Sequence, residues 1–132
     1  MAQYFFFCVN GHPITEGSTK AFNTAQGKPK IVHENPNLKA WRDLIKYSFI
    51  DERNKGGKWE MTEAAIELKT VFFLKRGGNR NGDLDKLVRA VGDALTGVCF
   101  IDDDQIVRII AEKRKANETH PEGVEIFLKS FS

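Results

Sequence analysis

The chain has 132 residues, 41% of them hydrophobic and 29% charged. That is too apolar for a disordered chain and too charged for a membrane protein, and the length suits one domain over residues 1–132. Lys and Arg exceed Asp and Glu by only 20 to 18, so any basic footprint for nucleic acid must be local. Cys8 and Cys99 each lie in an apolar run with no Cys/His metal spacing nearby, and read as two reduced, buried thiols of a cytoplasmic protein. The run Tyr4–Val9 is too short for a signal-peptide core, and no stretch approaches the roughly 20 residues of a spanning helix. Neither a membrane nor an organic cofactor is expected as a partner.

Aromatic and β-branched residues over 3–9 predict a first strand, ended by Asn10-Gly11. Residues 10–37 hold no period and are punctuated by Gly11, Pro13, Gly17, Gly27, Pro29 and Pro36, so they read as a long, partly flexible loop. Its cations Lys20, Lys28 and Lys30 outnumber Glu16 and Glu34. Asn37 is the expected N-cap of a helix running to about residue 52, with Leu38, Trp41, Leu44, Ile45, Tyr47, Phe49 and Ile50 as its apolar positions. After Gly56-Gly57, alternation over 62–74 predicts a strand with Ile66, Leu68, Thr70 and Phe72 on one face. The clearest helix spans 84–95, with Leu84, Leu87, Val88, Val91, Ala94 and Leu95 in one stripe, Asp83 at its N-cap and Gly97 after its end. Strands are expected at Gln105–Ala111 and Val124–Leu128, the second following the turn His120-Pro121-Glu122-Gly123. The order predicts an α+β fold, a small mixed β-sheet of about four strands with two main helices. Trp41, Trp59 and the ten Phe residues read as core rather than as base-stacking platforms, Trp59 being the one placed for exposure between Lys58 and Glu60.

Two acidic clusters carry the candidate chemistry. Asp83 and Asp85 can turn toward one point at a helix start, which suits a hard divalent cation, although a helix N-terminus favours Asp for its own reasons. Asp102-Asp103-Asp104 before the next strand is either a solvated turn or a repelling cluster that a cation relieves. Around the first pair lie Lys75, Arg76, Arg80, Lys86 and Arg89, with Lys113-Arg114-Lys115 downstream. Acids that hold a metal inside a basic patch suit a phosphodiester substrate; the plainer alternative makes Arg89 an i,i+4 partner of Asp85 and Asp93. The three histidines are far apart and lie in or beside loops, and no phosphate loop or nucleophile elbow occurs.

Asp83-Leu84-Asp85-Lys86-Leu87, Arg89, Asp93-Ala94-Leu95, Gly97 and Phe100-Ile101-Asp102-Asp103-Asp104-Gln105-Ile106-Val107 together resemble the RusA family of Holliday-junction resolvases. That family's pattern is an Asp-x-Asp helix start, a basic residue four further on, an Asp-Ala-Leu helix end and an Asp-Asp-x-Gln-Val/Ile strand start. Gly11-His12-Pro13, Gly17-Ser18 and Leu38-Lys39-Ala40-Trp41-Arg42 look like the corresponding parts of phage-type members. The resemblance implies a small homodimeric α+β endodeoxyribonuclease that uses Mg²⁺, with Mn²⁺ as a substitute, to nick opposed strands of a four-way DNA junction. It implies Asp83, Asp85 and Asp103 as metal ligands, with Asp102 and Arg89 supporting catalysis. DNA contacts fall to Lys75, Arg76, Arg80, Lys86 and Arg89. Lys86 stands where the family commonly has Asn, and Arg89 where it commonly has Lys, a change that keeps charge and alters donor geometry. The alternatives are a non-catalytic module binding branched DNA, or a nuclease for another branched nucleic acid.

Overall fold

The computed structural model describes residues 2–16, 20–23, 29–32, 37–76 and 82–131. In chain order these form β1 (Tyr4–Asn10), β2 (Lys20–Asn23), β3 (Pro29–Val32), α1 (Leu38–Asn54), β4 (Ile66–Leu74), α2 (Leu84–Leu95), β5 (Ile106–Lys115) and β6 (Gly123–Ser130). One four-stranded sheet has the order β1-β6-β4-β5, and β2 pairs with β3 as a separate antiparallel hairpin. Within the large sheet β4 and β5 are parallel and the other neighbours antiparallel, so the fold is α+β with a mixed sheet. No described helix is long and apolar enough to cross a membrane.

Period decides the inward faces. On β1 the residues Phe5, Phe7 and Val9 point inward and Tyr4, Phe6, Cys8 and Asn10 outward. Helix α1 buries Leu38, Trp41, Ile45 and Phe49, a stripe at spacings of three and four. Phe49 packs 5.0 Å from Phe5 and 5.7 Å from Phe7, which joins the helix to β1. Helix α2 buries Leu87, Val88, Val91 and Leu95 against the same core. Each such side chain contributes about 1.5–3 kcal/mol on leaving water. Gly123 lets β6 approach β1, because a Cβ there would run into the carbonyl oxygen of Val9.

Four expectations need correction. The strand expected over 62–74 starts only at Ile66, because the Gln105 side chain donates to the carbonyls of Thr62 and Ala64, both at 2.9 Å. The segment 10–37 holds the β2–β3 hairpin. Trp59 is buried, its indole N–H donating 2.9 Å to the Cys99 carbonyl while its ring edges onto Phe5. Cys8 is exposed, since it holds an outward position on β1, whereas Cys99 is buried and burial pushes its thiol far up. Asn37 does precede α1 but gives no side-chain cap bond. Lys28, His33 and Arg80 lie outside the described residues.

Candidate active site

The chain reaches α2 through Gly82, whose φ of +89° is open to glycine and strained for other residues. A Cβ at Gly82 would also strike the Thr15 side chain. Asp83 follows in extended conformation, its carbonyl accepting from Lys86 N at 3.1 Å and Leu87 N at 3.0 Å. Its carboxylate makes no cap bond, so the helix leaves both oxygens open to solvent and to Lys86 Nζ at 3.7 Å. Asp85 is exposed one turn-position on, and Arg89 is exposed one turn further. Among the described residues no ion pair ties Arg89 to Asp85 or Asp93, so the i,i+4 alternative is not realised.

Two struts fix this end of the helix. Glu16 N donates 3.0 Å to the Lys86 carbonyl, and the buried Glu16 carboxylate takes Arg42 Nη1 at 2.9 Å from α1. Lys113, near the end of β5, donates its Nζ 2.6 Å to the Gly82 carbonyl. Lys75 and Arg76 leave β4 at this same end, where Leu74 pairs with Lys115. Lys86, Lys113, Lys75 and Arg76 thus lie at the Asp83 end of α2.

The second cluster is built differently. Asp102 caps the 3₁₀ turn Asp103–Gln105 by accepting from Asp104 N at 3.1 Å. Gln105 closes the box, its Oε1 accepting from Ile101 N at 2.8 Å and Asp102 N at 2.9 Å. These bonds hold Asp103 outward, beside Asp102. The Asp103 carboxyl is raised above the usual carboxylate range, first by its hydrogen bond with Asp102, then by desolvation and by the negative charges of Asp102, Asp93 and Asp104. Asp93, read from the sequence as a pair partner of Arg89 and as part of the Asp-Ala-Leu helix end, stands instead close enough to Asp103 to add its charge there.

The two clusters do not meet within one chain. A Cβ at Gly92, one residue before Asp93, would lie 3.7 Å from Ile106 Cδ1 at the start of β5. Lys113 near the far end of β5 reaches Gly82. Strand β5 thus runs antiparallel to α2, and Asp103 lies at the opposite end of the helix from Asp83. Ten residues of helix separate Asp83 from Asp93, about 15 Å along the axis. Among the described residues no group of three His, Cys, Asp or Glu side chains converges to hold a metal.

The family model for endodeoxyribonuclease RusA matches residues 10–129 of this chain. The chain belongs to the RusA endodeoxyribonuclease family. The matched span covers both acidic clusters and both struts, and family membership implies Holliday-junction endonuclease activity. No curated protein sequence matches the chain.

Proposed function

We propose that the protein is a Mg²⁺-dependent, homodimeric endodeoxyribonuclease that resolves four-way DNA junctions, each of its two sites being shared between two copies. The carrying observation is the split of the carboxylates: Asp83 and Asp85 at one end of α2, Asp103 at the other. Three features support a second copy as the missing half. Strand β5 is an edge strand ten residues long, and Val107, Ile109 and Ile110 on it are 64%, 55% and 38% exposed. A long apolar edge of this kind is a template for pairing. Its two ends differ in charge, with Lys75, Arg76 and Lys113 at one and Asp93 and Asp102–Asp104 at the other. Antiparallel pairing of two β5 strands about a two-fold axis sets unlike ends together, and brings the partner's Asp103 toward Asp83 and Asp85.

The donor set fits the ion. Carboxylate oxygens are the ligands a hard divalent cation prefers, and the raised Asp103 carboxyl is a charge conflict that a cation relieves. Asp83, Asp85 and the partner's Asp103 would hold Mg²⁺, which supplies Lewis-acid stabilisation and an activated water at phosphorus. The protein's own groups do the positioning. Asp102 and Gln105 keep the 3₁₀ turn closed so that Asp103 faces outward. Lys86 and Arg89 face the scissile phosphate from the helix, where their charge stabilises the negative charge that grows on the phosphoryl oxygens. Lys75 and Arg76 contact the flanking backbone. Two sites related by a two-fold axis act on two opposed strands.

Cleavage of a labelled four-way junction and a matched linear duplex in Mg²⁺ tests this reading. Paired nicks on the junction alone, lost in Asp103→Asn, are expected. Equal cutting of both substrates would remove the junction preference, and binding without cutting in Mg²⁺ or Mn²⁺ would leave a DNA-binding module.

A further inference from the structure

The large sheet turns one face away from the helices. Its register forms two cross-strand rows at the Tyr4 end: Tyr4–Lys129–Glu67–Arg108 and Phe6–Phe127–Lys69–Ile110. Tyr4 is 68% exposed and Phe6 49%, and Phe6 packs on Phe127 with ring centres 4.5 Å apart. Lys69 Nζ stands 5.1 Å from the Phe127 ring, and Lys129 Nζ lies 5.7 Å from Tyr4 and 4.8 Å from Phe131. Tyr4, Phe6, Glu67, Lys69, Phe127 and Lys129 border a shallow depression of about 460 Å³.

We infer that this face binds an unpaired DNA strand, with bases stacked on Tyr4 and Phe6 and the phosphates held by Lys69, Lys129 and Arg108. Three observations choose this occupant. The exposed apolar groups in the depression, Tyr4 and Phe6, are aromatic, whereas those on β5 (Val107, Ile109 and Ile110) are aliphatic and suit a protein copy better. Aromatic faces combined with a cationic border are what sequence-tolerant single-strand binders use, because every base offers a π-face. The charge is also uneven: at the Tyr4 end Arg108 pairs with Glu67 at 3.3 Å and, among the described residues, Lys69 and Lys129 form no ion pair, whereas in the next row Glu125 and Glu112 flank Val71 and Glu112 alone is paired, with Arg114 at 2.8 Å. A phosphate backbone is thereby directed to the Tyr4 end and away from the other. That end is also the Asp103 end of the sheet, since Arg108 follows Gln105 by three residues in β5. Three strand spacings, about 14 Å, take a strand from Arg108 across to Tyr4. The inference extends the proposed function to single-stranded DNA and does not need the nuclease step.

The test uses the full chain carrying Asp103→Asn, in chelator, with a labelled oligothymidylate and an abasic strand of equal length as probes for fluorescence anisotropy. The base-bearing strand is expected to bind about tenfold tighter than the abasic one. Tyr4→Leu with Phe6→Leu should bring the two affinities together, and Tyr4→Phe should restore the difference. Lys69→Gln with Lys129→Gln should weaken both strands alike and lower the salt dependence. Circular dichroism and Tm identify any variant that fails to fold. Equal affinity for both probes, or no effect of the Tyr4 and Phe6 changes, would overturn the inference. So would a change of oligomeric state in the Tyr4 and Phe6 variant, which would make this face a protein interface. Junction cleavage by the chain with Asp103 intact is read separately, so failure there leaves this binding result unaffected.

Discussion

The two ends of the α2–β5 unit are made of the same residue types and do opposite things with them. At the Gly82 end, Lys86 Nζ lies 3.7 Å from the Asp83 carboxylate, Lys113 binds the Gly82 carbonyl, and Lys75 and Arg76 leave β4 at the same end. At the Asp103 end, four aspartates crowd together, and Asp102 spends its carboxylate on capping a turn. One end sets its acids beside cations and the other crowds acids together. In the proposed dimer, the acidic cluster beside the free strand edge would supply the third ligand that the Asp83–Asp85 pair lacks, and a two-fold axis between two chains would bring the two ends together.

That complementarity breaks most sharply by mixing two dead proteins. Asp83→Asn and Asp103→Asn homodimers should each be inactive. If sites are shared, a heterodimer of the two holds one site with both substitutions and one site with neither. Mixing therefore restores single-strand nicking of the junction without paired resolution, to about one quarter of the wild-type nicking rate from random assortment of equal amounts. A site built within one chain gives no rescue in any mixture. Gel resolution of nicked and resolved junction products reads the two outcomes directly.

The strand edge itself is the next point of attack. Ile109 is 55% exposed in the single chain, so Ile109→Asp leaves monomer stability nearly untouched. In a β5–β5 interface the same change buries a charge without a partner on each chain, at a cost of about 3 kcal/mol or more. The dimer should then dissociate at concentrations more than about 100-fold higher than wild type, with junction cleavage falling in parallel. Sedimentation across a concentration series measures the first effect. A variant that stays dimeric would place the interface elsewhere.

How far this contrast could be read from sequence depends on the range of the interaction involved. Period placed α2 at residues 84–95, and the same stripe of Leu87, Val88, Val91 and Leu95 is buried. The inward alternation of β1 and the apolar stripe of α1 were equally legible, because each depends on neighbours a few residues away. The β2–β3 hairpin was hidden because its strands are only four residues each and are flanked by Gly17 and Gly27, with Pro29 opening β3. Trp59 looked exposed from its charged neighbours, but a contact 40 residues away in sequence decides its burial. The direction of β5 relative to α2 is of the same kind: it follows from parallel pairing with β4, which no local pattern encodes. The sequence therefore named the acidic residues and left open whether they meet.

The smallest predicted effect tests the crowding at the Asp103 end on its own, without DNA or metal. Because its neighbours raise the Asp103 carboxyl, the folded chain holds that proton more tightly than the unfolded chain does. Stability from this group is fully present below the ordinary carboxylate pKa and is lost as pH rises through the raised value. Asp103→Asn removes the repulsion without changing the shape of the side chain, so in chelator it should melt slightly above wild type at neutral pH. Asp103 is exposed, which keeps the gain to a few tenths of a kcal/mol. The difference should vanish in acid, where wild-type Asp103 is protonated and resembles the amide. Adding Mg²⁺ should reverse the order at neutral pH, because the ion binds the folded wild type and stabilises it by mass action. Asp104→Asn is the control: the Asp104 backbone N–H, which the substitution keeps, is what Asp102 accepts, and a gain as large from Asp104→Asn would move the conflict, and the third ligand with it, one residue along the turn.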